Sequence, residues 1–186
     1  PAEQEDKSKN EKENTFQLKA PEPWPELVDG EVLLNDLQEA IQKYVSMQTG
    51  CAEASALWIL YTHAFEAMTI APRLAILSPE KQCGKTTLLS VIGCLVPKPL
   101  HAANITAAAV FRTIEHIQPT LLIDEADTFL PGADELRGVL NSGHNRATAY
   151  TVRLVGDKHE PKQFSTWTPV AIAAIGTLKD TLMDRS

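Results

Sequence analysis

The stretch that most constrains the fold of this chain is residues 78–87, with the sequence SPEKQCGKTT. It matches the phosphate-loop pattern G-x-x-x-x-G-K-S/T at every fixed position except the first, where Pro79 stands in place of glycine. An apolar run of strand length, residues 73–77, precedes it, and a run suited to a helix, residues 87–93, follows it. Because the pattern requires a strand, a loop and a helix in that order, the sequence predicts a β-α unit that binds phosphate groups.

Each residue type in this loop has a chemical role. Backbone N–H groups of a tight loop, and of the helix start that follows it, converge on an anion. Gly84 lets the backbone approach the phosphates, Lys85 supplies charge for the β- and γ-phosphates, and Thr86 offers a hydroxyl to Mg²⁺. Pro79 fixes its own φ angle, so we expect a loop entry that differs from the common geometry. The residues predicted to contact a nucleotide are Pro79, Glu80, Lys81, Gln82, Cys83, Gly84, Lys85, Thr86 and Thr87.

A second chemical motif follows an apolar run at residues 120–123. The run ends in two adjacent carboxylates, Asp124 and Glu125, which is the pattern of a Walker B segment. In that interpretation Asp124 holds Mg²⁺ through a water molecule and Glu125 polarises the attacking water. The alternative is a buried strand with acidic residues at its exposed end, and Asp127 is interpreted as a helix-start carboxylate. The interval from Lys85 leaves room for a helix, a strand and a helix, which predicts an additional strand between the two motif strands.

A further buried strand is predicted at residues 169–176, and Thr177 follows it directly. The end of such a strand is the usual location of a polar residue that senses the γ-phosphate of a nucleotide. A plain threonine at a strand end explains the sequence equally well, so both interpretations stay open.

Composition divides the chain into three parts. Residues 1–23 are rich in polar side chains and poor in apolar ones, which is typical of a disordered tail or linker. Residues 24–70 contain two runs with helical spacing, 31–47 and 52–68, and predict a small N-terminal helical pair. Residues 71–186 form the predicted core, and no lid domain follows it within the chain.

A β-hairpin is predicted from an alternating run at residues 147–155, a turn signal, and a return strand at residues 163–167. The segment around it has an excess of basic residues, in a chain whose formal net charge is −7. One interpretation is a basic hairpin that contacts nucleic-acid phosphates through Arg146, Arg153 and Lys158. The other is an ordinary solvent-exposed hairpin whose charges are simply hydrated.

Bulk composition limits the class of protein. The chain has 186 residues, which is enough for one domain with a sizeable core, and its negative net charge predicts no general attraction to nucleic acid. Its three cysteines, Cys51, Cys83 and Cys94, show neither metal-site spacing nor a disulfide framework. No signal peptide is visible, and the most apolar run, residues 54–65, is too short to span a membrane. We therefore expect a cytoplasmic protein without membrane contacts.

Five segments together closely resemble the ATPase domain of uncharacterised plasmid- and prophage-type primase-helicase proteins, which is similar to AAA+ ATPases and superfamily-three helicases. The segments are SPEKQCGKTT, PTLLIDEADTF, LNSGH, FSTWTPVAIAAIG and TLMDRS, and the resemblance covers roughly residues 57–186. It implies an α/β P-loop NTPase fold with a central parallel sheet, of the type with an additional strand and a catalytic glutamate. A small helical element precedes this fold and a β-hairpin is inserted in it. The chain departs from the family pattern at Pro79 and at Thr177, where asparagine is more common.

The resemblance also implies a chemistry. It implies ATP and Mg²⁺ as cofactors, bound by Lys85, Thr86, Asp124 and Glu125. Arg185 matches the place where AAA+ relatives present an arginine finger to the nucleotide of a neighbouring subunit. A surface arginine that pairs with Asp184 or Asp180 remains the alternative, and such a pair is worth at most about 1 kcal/mol.

Three functions follow from these expectations. The first is a DNA-linked ATPase, a helicase or translocase that acts as a homo-oligomeric ring on single-stranded or duplex DNA, with a primase module as a further partner. The second is an ATP-driven switch or loader that remodels protein partners and does not itself bind DNA. The third is a nucleotide-binding module without turnover. DNA-stimulated hydrolysis distinguishes the first from the second, and any steady turnover excludes the third.

Overall fold

The computed structural model describes residues 18–178 and 180–186, so most of the predicted tail at residues 1–23 lies outside the described residues. Within the described part of the chain, the helices are α1 (Gly30–Gln42), α2 (Cys51–His63), α3 (Lys85–Leu95), α4 (Ala107–Ile117), α5 (Ala126–Phe129), α6 (Asp134–Ser142) and α7 (Asp180–Met183). The strands are β1 (Leu74–Ser78), β2 (Pro99–Ala102), β3 (Thr120–Ile123), β4 (Tyr150–Val155), β5 (Glu160–Ser165) and β6 (Val170–Ile175).

Four of the strands form one parallel sheet in the order β1-β6-β3-β2. In this sheet β6 pairs with β1 on one side, through Ile76 and Ala173, and with β3 on the other, through Leu122 and Ala171. A strand does lie between the two motif strands, but it is β6, the last strand of the chain. The strand predicted from the interval between the motifs is β2, and it lies at the edge of the sheet, so this part of the prediction was wrong.

Helices cover both faces of this sheet, which explains why its central strands are apolar on both sides. Ala171 and Ala173 of β6 belong to a core that includes Ile41, Ile59 and Leu89 from α1, α2 and α3. The small alanine side chains leave room for α3 to pack closely on this face. The predicted helical pair is thus part of the layer that covers the strand of the phosphate-loop motif.

The opposite face of the sheet packs against α4 and α6. Ile172 of β6 and Ile123 of β3 belong to a second core, with Phe111 and Ile114 of α4 and Leu136 of α6. Ile172 and Ile123 are fully buried. Truncation of either to alanine is expected to cost about 2–5 kcal/mol, because the surrounding helices close such a cavity only in part.

The ends of the first two helices differ from the prediction. Helical spacing continues to residue 47, but α1 ends at Gln42, and Val45 turns inward and is buried. The second helix ends at His63 and not at residue 68, because Phe65–Ala67 form a 3₁₀ turn. In both places the apolar residues beyond the helix pack on the core from a non-helical backbone. Periodicity alone does not distinguish this from a longer helix.

The predicted hairpin is present as the antiparallel pair β4 and β5, in the register Val152 opposite Gln163. Its first strand begins three residues later than predicted, at Tyr150, because Arg146–Thr148 form a 3₁₀ turn. Its second strand begins three residues earlier than predicted, at Glu160, and includes a proline, which an edge strand tolerates.

The hairpin is attached to the main body by aromatic packing. Phe164 of β5 is buried against Phe111 of α4, with ring centroids 4.8 Å apart. No helix of the described residues is both long enough and apolar enough to cross a membrane.

Candidate functional site

The two chemical motifs meet at one edge of the parallel sheet. The loop at residues 79–84 leaves the carboxyl end of β1, and Asp124 and Glu125 leave the carboxyl end of β3. Carboxyl ends of parallel strands lie at the same edge, which is where ligands bind in open α/β sheets. The main-chain N–H of Gly176, just after β6, donates to the carbonyl of Ser78 at 2.9 Å. This bond joins the end of β6 to the end of β1 at the same edge.

The loop leads into α3 without a side-chain cap. Gly84 is the N-cap residue, with a φ of 79°, and Lys85 begins the helix. The first turn of α3 contains no acidic residue. Its N–H groups therefore have no capping side chain, and with the positive end of the helix dipole they form a favourable environment for an anion.

Pro79 is exposed at the start of the loop. A hydrogen bond that the sequence analysis did not predict stabilises the loop. The hydroxyl of Ser78 donates to the carbonyl of Glu80 at 2.6 Å. The same hydroxyl accepts a hydrogen bond of 2.6 Å from Nζ of Lys85. Lys85 Nζ also lies 3.4 Å from the carbonyl oxygen of Glu80, which keeps its charge inside the loop. Ser78 is thus the positioning residue for this lysine. The only sequence feature that could have indicated this role is its position at the end of a buried strand.

A direct hydrogen bond joins the two motifs. Thr86 Oγ1 in the first turn of α3 donates to Asp124 Oδ2 at 2.7 Å. A hydroxyl and a carboxylate are hard oxygen donors, the class of ligand that Mg²⁺ prefers. The pair predicted to hold Mg²⁺ therefore lies together, and its donor atoms fit that ion.

Glu125 has an unusual backbone. It is exposed, its φ is 51°, and its N–H donates to Asp124 Oδ1 at 2.8 Å. A left-handed conformation costs a non-glycine residue roughly 1–2 kcal/mol, and such residues cluster at functional sites. The turn leaves the side chain of Glu125 exposed to solvent beside Asp124.

Asp127 and Thr177 lie near the end of β6. Asp127 is in the first turn of α5, as predicted for a helix-start carboxylate, and its Oδ1 accepts a hydrogen bond of 2.9 Å from the N–H of Ile175. This bond fixes the end of β6 to the segment that carries Asp124. Thr177 is exposed two residues after the strand ends, at the same edge of the sheet.

Arg185 lies at the other end of β1. Its carbonyl accepts a hydrogen bond of 2.9 Å from the N–H of Arg73, and its Nη1 donates to the carbonyl of Asn141 at 2.6 Å. Arg73 is buried, and this burial, followed by the like charge of Arg185, lowers its pKa to about 10. β1 has 5 residues and spans roughly 15 Å, so Arg185 is remote from the phosphate loop of its own chain.

The three basic residues predicted to contact nucleic acid are in different environments. Arg146 lies in a 3₁₀ turn outside the hairpin and forms an ion pair of 3.2 Å with Glu66. Arg153, on β4, forms an ion pair of 2.9 Å with Glu135 of α6. Lys158 is exposed in the turn between the two strands. Two of the three charges are thus already paired within the chain.

No protein-family model matches this sequence, and no curated protein matches it either. The similarity noted from the motifs is therefore not supported by an identified relative.

Proposed function

We propose that this chain is the ATP-binding and ATP-hydrolysing domain, of the AAA+-like P-loop type, of a DNA-replication-type helicase or translocase. The observation that carries the proposal is the 2.7 Å bond between Thr86 and Asp124, which joins a phosphate-loop helix to a Walker B strand. The sheet order supports it, because β6 lies between the strands of the two motifs. In P-loop ATPases these two residue types jointly hold the metal ion.

Each residue of the site has a separate role in this proposal. The N–H groups of residues 80–86 and the charge of Lys85 bind the phosphate chain. Thr86 and Asp124 would hold Mg²⁺, which would neutralise negative charge on the phosphate chain. Glu125 orients a water molecule and accepts its proton as that water attacks the γ-phosphorus and the bond to the β-phosphate oxygen breaks.

The same proposal gives Arg185 a role between subunits. Its distance from the phosphate loop of its own chain means that it can reach a nucleotide only across an interface with another copy. We propose a homo-oligomeric ring in which Arg185 acts on the neighbouring site. To do so its guanidinium must break its hydrogen bond to the carbonyl of Asn141 and form one to a phosphate oxygen instead.

A second function is favoured by a specific observation. Because Arg146 pairs with Glu66 and Arg153 pairs with Glu135, the basic excess around the hairpin is partly neutralised. An ATP-driven switch that remodels protein partners, and does not bind DNA, needs no free basic surface. The helicase or translocase remains the first proposal because Lys158 is free to contact phosphate and because exposed ion pairs are weak enough to exchange partners.

The rate of ATP hydrolysis with and without single-stranded DNA separates these functions. The helicase or translocase hypothesis expects DNA to raise the rate. A steady rate that DNA does not change favours the switch, and no turnover under any condition leaves a nucleotide-binding module. Glu125→Gln serves as the control, because its rate should fall by about 10²–10⁴ if the measured hydrolysis takes place at this site.

A further inference from the structure

Arg73, immediately before β1, is a buried cation without a partner of opposite charge. It is only 4% exposed, and within the described ranges it takes part in no ion pair. Its Nη2 donates to the carbonyl of Leu140, but its Nε and Nη1 have no hydrogen-bond acceptor in the described part of the chain. Buried charges in proteins are normally paired or bound to an ion, because an uncompensated one strongly destabilises the folded state.

A cavity of about 10 Å³ lies beside Arg73, where α4 and α6 meet the amino end of β6. Arg73 lines it together with Ile114, Val139 and Val170 from these three elements. The centre of a water-sized sphere can move within this volume, so the cavity has room for one water molecule or for a slightly larger monatomic ion. Phosphate, sulfate and organic molecules are too large for it.

The chemistry of the cavity favours an anion over a cation. Arg73 is the only charged residue among the described residues that line it, and none of these residues carries a carboxylate. The other walls are aliphatic side chains and the two threonines Thr166 and Thr168. A guanidinium has five N–H donors and no acceptor, so a guest that only accepts hydrogen bonds and carries a negative charge suits the free donors best.

A second positive charge lies close to this site. The main-chain N–H of Arg73 donates to the carbonyl of Arg185 at 2.9 Å. The pKa of Arg73 is lowered first by its burial and then by the like charge of Arg185, which indicates that the two guanidinium groups repel each other. An anion at Arg73 would offset both the buried charge and this repulsion.

We propose that the cavity beside Arg73 binds a single chloride ion, held by the Nε–H and Nη1–H groups of that arginine. The inference does not rest on the proposed function, because the cavity lies at the amino end of the sheet, away from the phosphate loop. Bound chloride would stabilise the native protein and would favour the described position of the segment around Arg185.

The dependence of stability on chloride tests the proposal. Unfolding of the protein in urea is followed while sodium chloride replaces sodium gluconate at constant ionic strength. Gluconate has the same charge as chloride but is too large for the cavity. An ion that binds only the native state lowers the equilibrium constant for unfolding by the factor 1 + [Cl⁻]/Kd. Above the Kd, each tenfold rise in chloride should therefore lower that constant about tenfold, as expected for one ion.

Two variants separate this site from general effects of salt. Arg73→Met removes the guanidinium and keeps an unbranched apolar side chain, and it should lose the dependence on chloride. Arg112→Met, at an exposed position of α4, is the matched control and should keep it. Equal stability of the unmodified protein in chloride and in gluconate would overturn the proposal. A chloride dependence in Arg73→Met equal to that of Arg112→Met would also overturn it, because the ion would then bind elsewhere.

A second measurement uses the unmodified protein alone, so it does not require Arg73→Met to fold. Bromide resembles chloride and is located in crystals by its anomalous scattering. Crystals grown in sodium bromide should show an anomalous peak in this cavity, in contact with Nε or Nη1 of Arg73. A cavity without an anomalous peak, whether empty or occupied by water, would contradict the proposal.

Discussion

The hydroxyl of Thr86 donates a 2.7 Å hydrogen bond to Oδ2 of Asp124, and this bond joins the first turn of α3 to the end of β3. Asp124 is anchored further by the N–H of Glu125, which donates to its other oxygen at 2.8 Å. Both oxygens of the carboxylate are thus oriented by the protein. In the proposed function this orientation presents the carboxylate to the Mg²⁺ that Thr86 and Asp124 would hold.

The first prediction concerns metal dependence. The unmodified protein should bind ATP more tightly with Mg²⁺ than in EDTA. Asp124→Asn should abolish this difference in affinity. A residue that holds the metal through water is an outer-shell partner, and mutation of such partners lowers metal affinity roughly 10- to 100-fold. Binding is followed by calorimetry in both conditions. Asp157→Asn, in the exposed hairpin turn, is the charge-matched control, and an unchanged Mg²⁺ effect in Asp124→Asn would remove this residue from the metal site.

The second prediction concerns phosphate binding. Lys85→Ala removes an ammonium group that lies 2.6 Å from Ser78 Oγ inside the loop. We expect ATP affinity to fall about 10- to 100-fold, because a charged hydrogen bond is worth about 1.5–3 kcal/mol. Arg112→Ala, at an exposed position of α4, is the control for loss of one positive charge. If Lys85→Ala binds ATP as tightly as Arg112→Ala does, the phosphates lie elsewhere.

The third prediction concerns the basic residues near the hairpin. If Arg146, Arg153 and Lys158 contact phosphate, the binding constant for single-stranded DNA should fall steeply with salt concentration. Each phosphate contact contributes roughly 0.7 to the slope of log K against log salt concentration, where K is this binding constant, so alanine at all three positions should reduce the slope by about 2. Basal hydrolysis should not change. An unaltered salt slope would support the interpretation of an ordinary hydrated hairpin.

The ion pair of Arg146 gives this prediction a matched test. Glu66→Gln removes the carboxylate that lies 3.2 Å from the Arg146 guanidinium. If Arg146 contacts DNA, Glu66→Gln should strengthen binding, because the arginine no longer has to exchange partners. Weaker or equal binding would mean that Arg146 acts only within the chain.

The fourth prediction is that Arg185 acts on a neighbouring subunit. Arg185→Ala and Lys85→Ala should each be nearly inactive alone, since an arginine finger is worth roughly 10³–10⁵ in rate in other phosphoryl-transfer systems. Mixed subunits should recover part of the hydrolysis, because an intact site can meet an intact arginine across an interface. No recovery in a mixture that demonstrably co-assembles would count against the role.

The same experiment needs a control for stability, because Arg185 Nη1 also donates to the carbonyl of Asn141. The melting temperature of Arg185→Ala shows whether loss of this bond destabilises the C-terminal turn. A folded Arg185→Ala protein with full activity would leave Arg185 with a structural role only.

Local sequence signals predicted much of the fold. Threonine is a favoured N-cap residue, and Thr106 accepts the cap bond of α4 from the N–H of Ala109. The strand at Val170–Ile175 was predicted from its uninterrupted apolar run, and in the sheet it lies between β1 and β3. These features depend on propensity and on burial along one segment. Propensity and burial along one segment can be predicted from the local sequence, without knowledge of contacts between distant segments.

The features that were not predicted depend on contacts between distant segments. Val45 leaves the helical pattern because it packs beside Gly84. The ion pairs that neutralise Arg146 and Arg153 use carboxylates from other elements, and no spacing in the sequence indicates them. Ser78 contacts Lys85 only because the loop folds back on the end of β1. Sequence reasoning therefore found the chemical groups of the site more readily than the groups that position them.

The central claim is that this site hydrolyses ATP with Glu125 as the proton acceptor. The most direct measurement compares the unmodified protein with Glu125→Gln, in both ATP affinity and steady-state hydrolysis with Mg²⁺. We predict equal affinity and a rate that falls by about 10²–10⁴, because the amide keeps the shape of the side chain but cannot accept the proton. Hydrolysis by Glu125→Gln at the rate of the unmodified protein would contradict the claim.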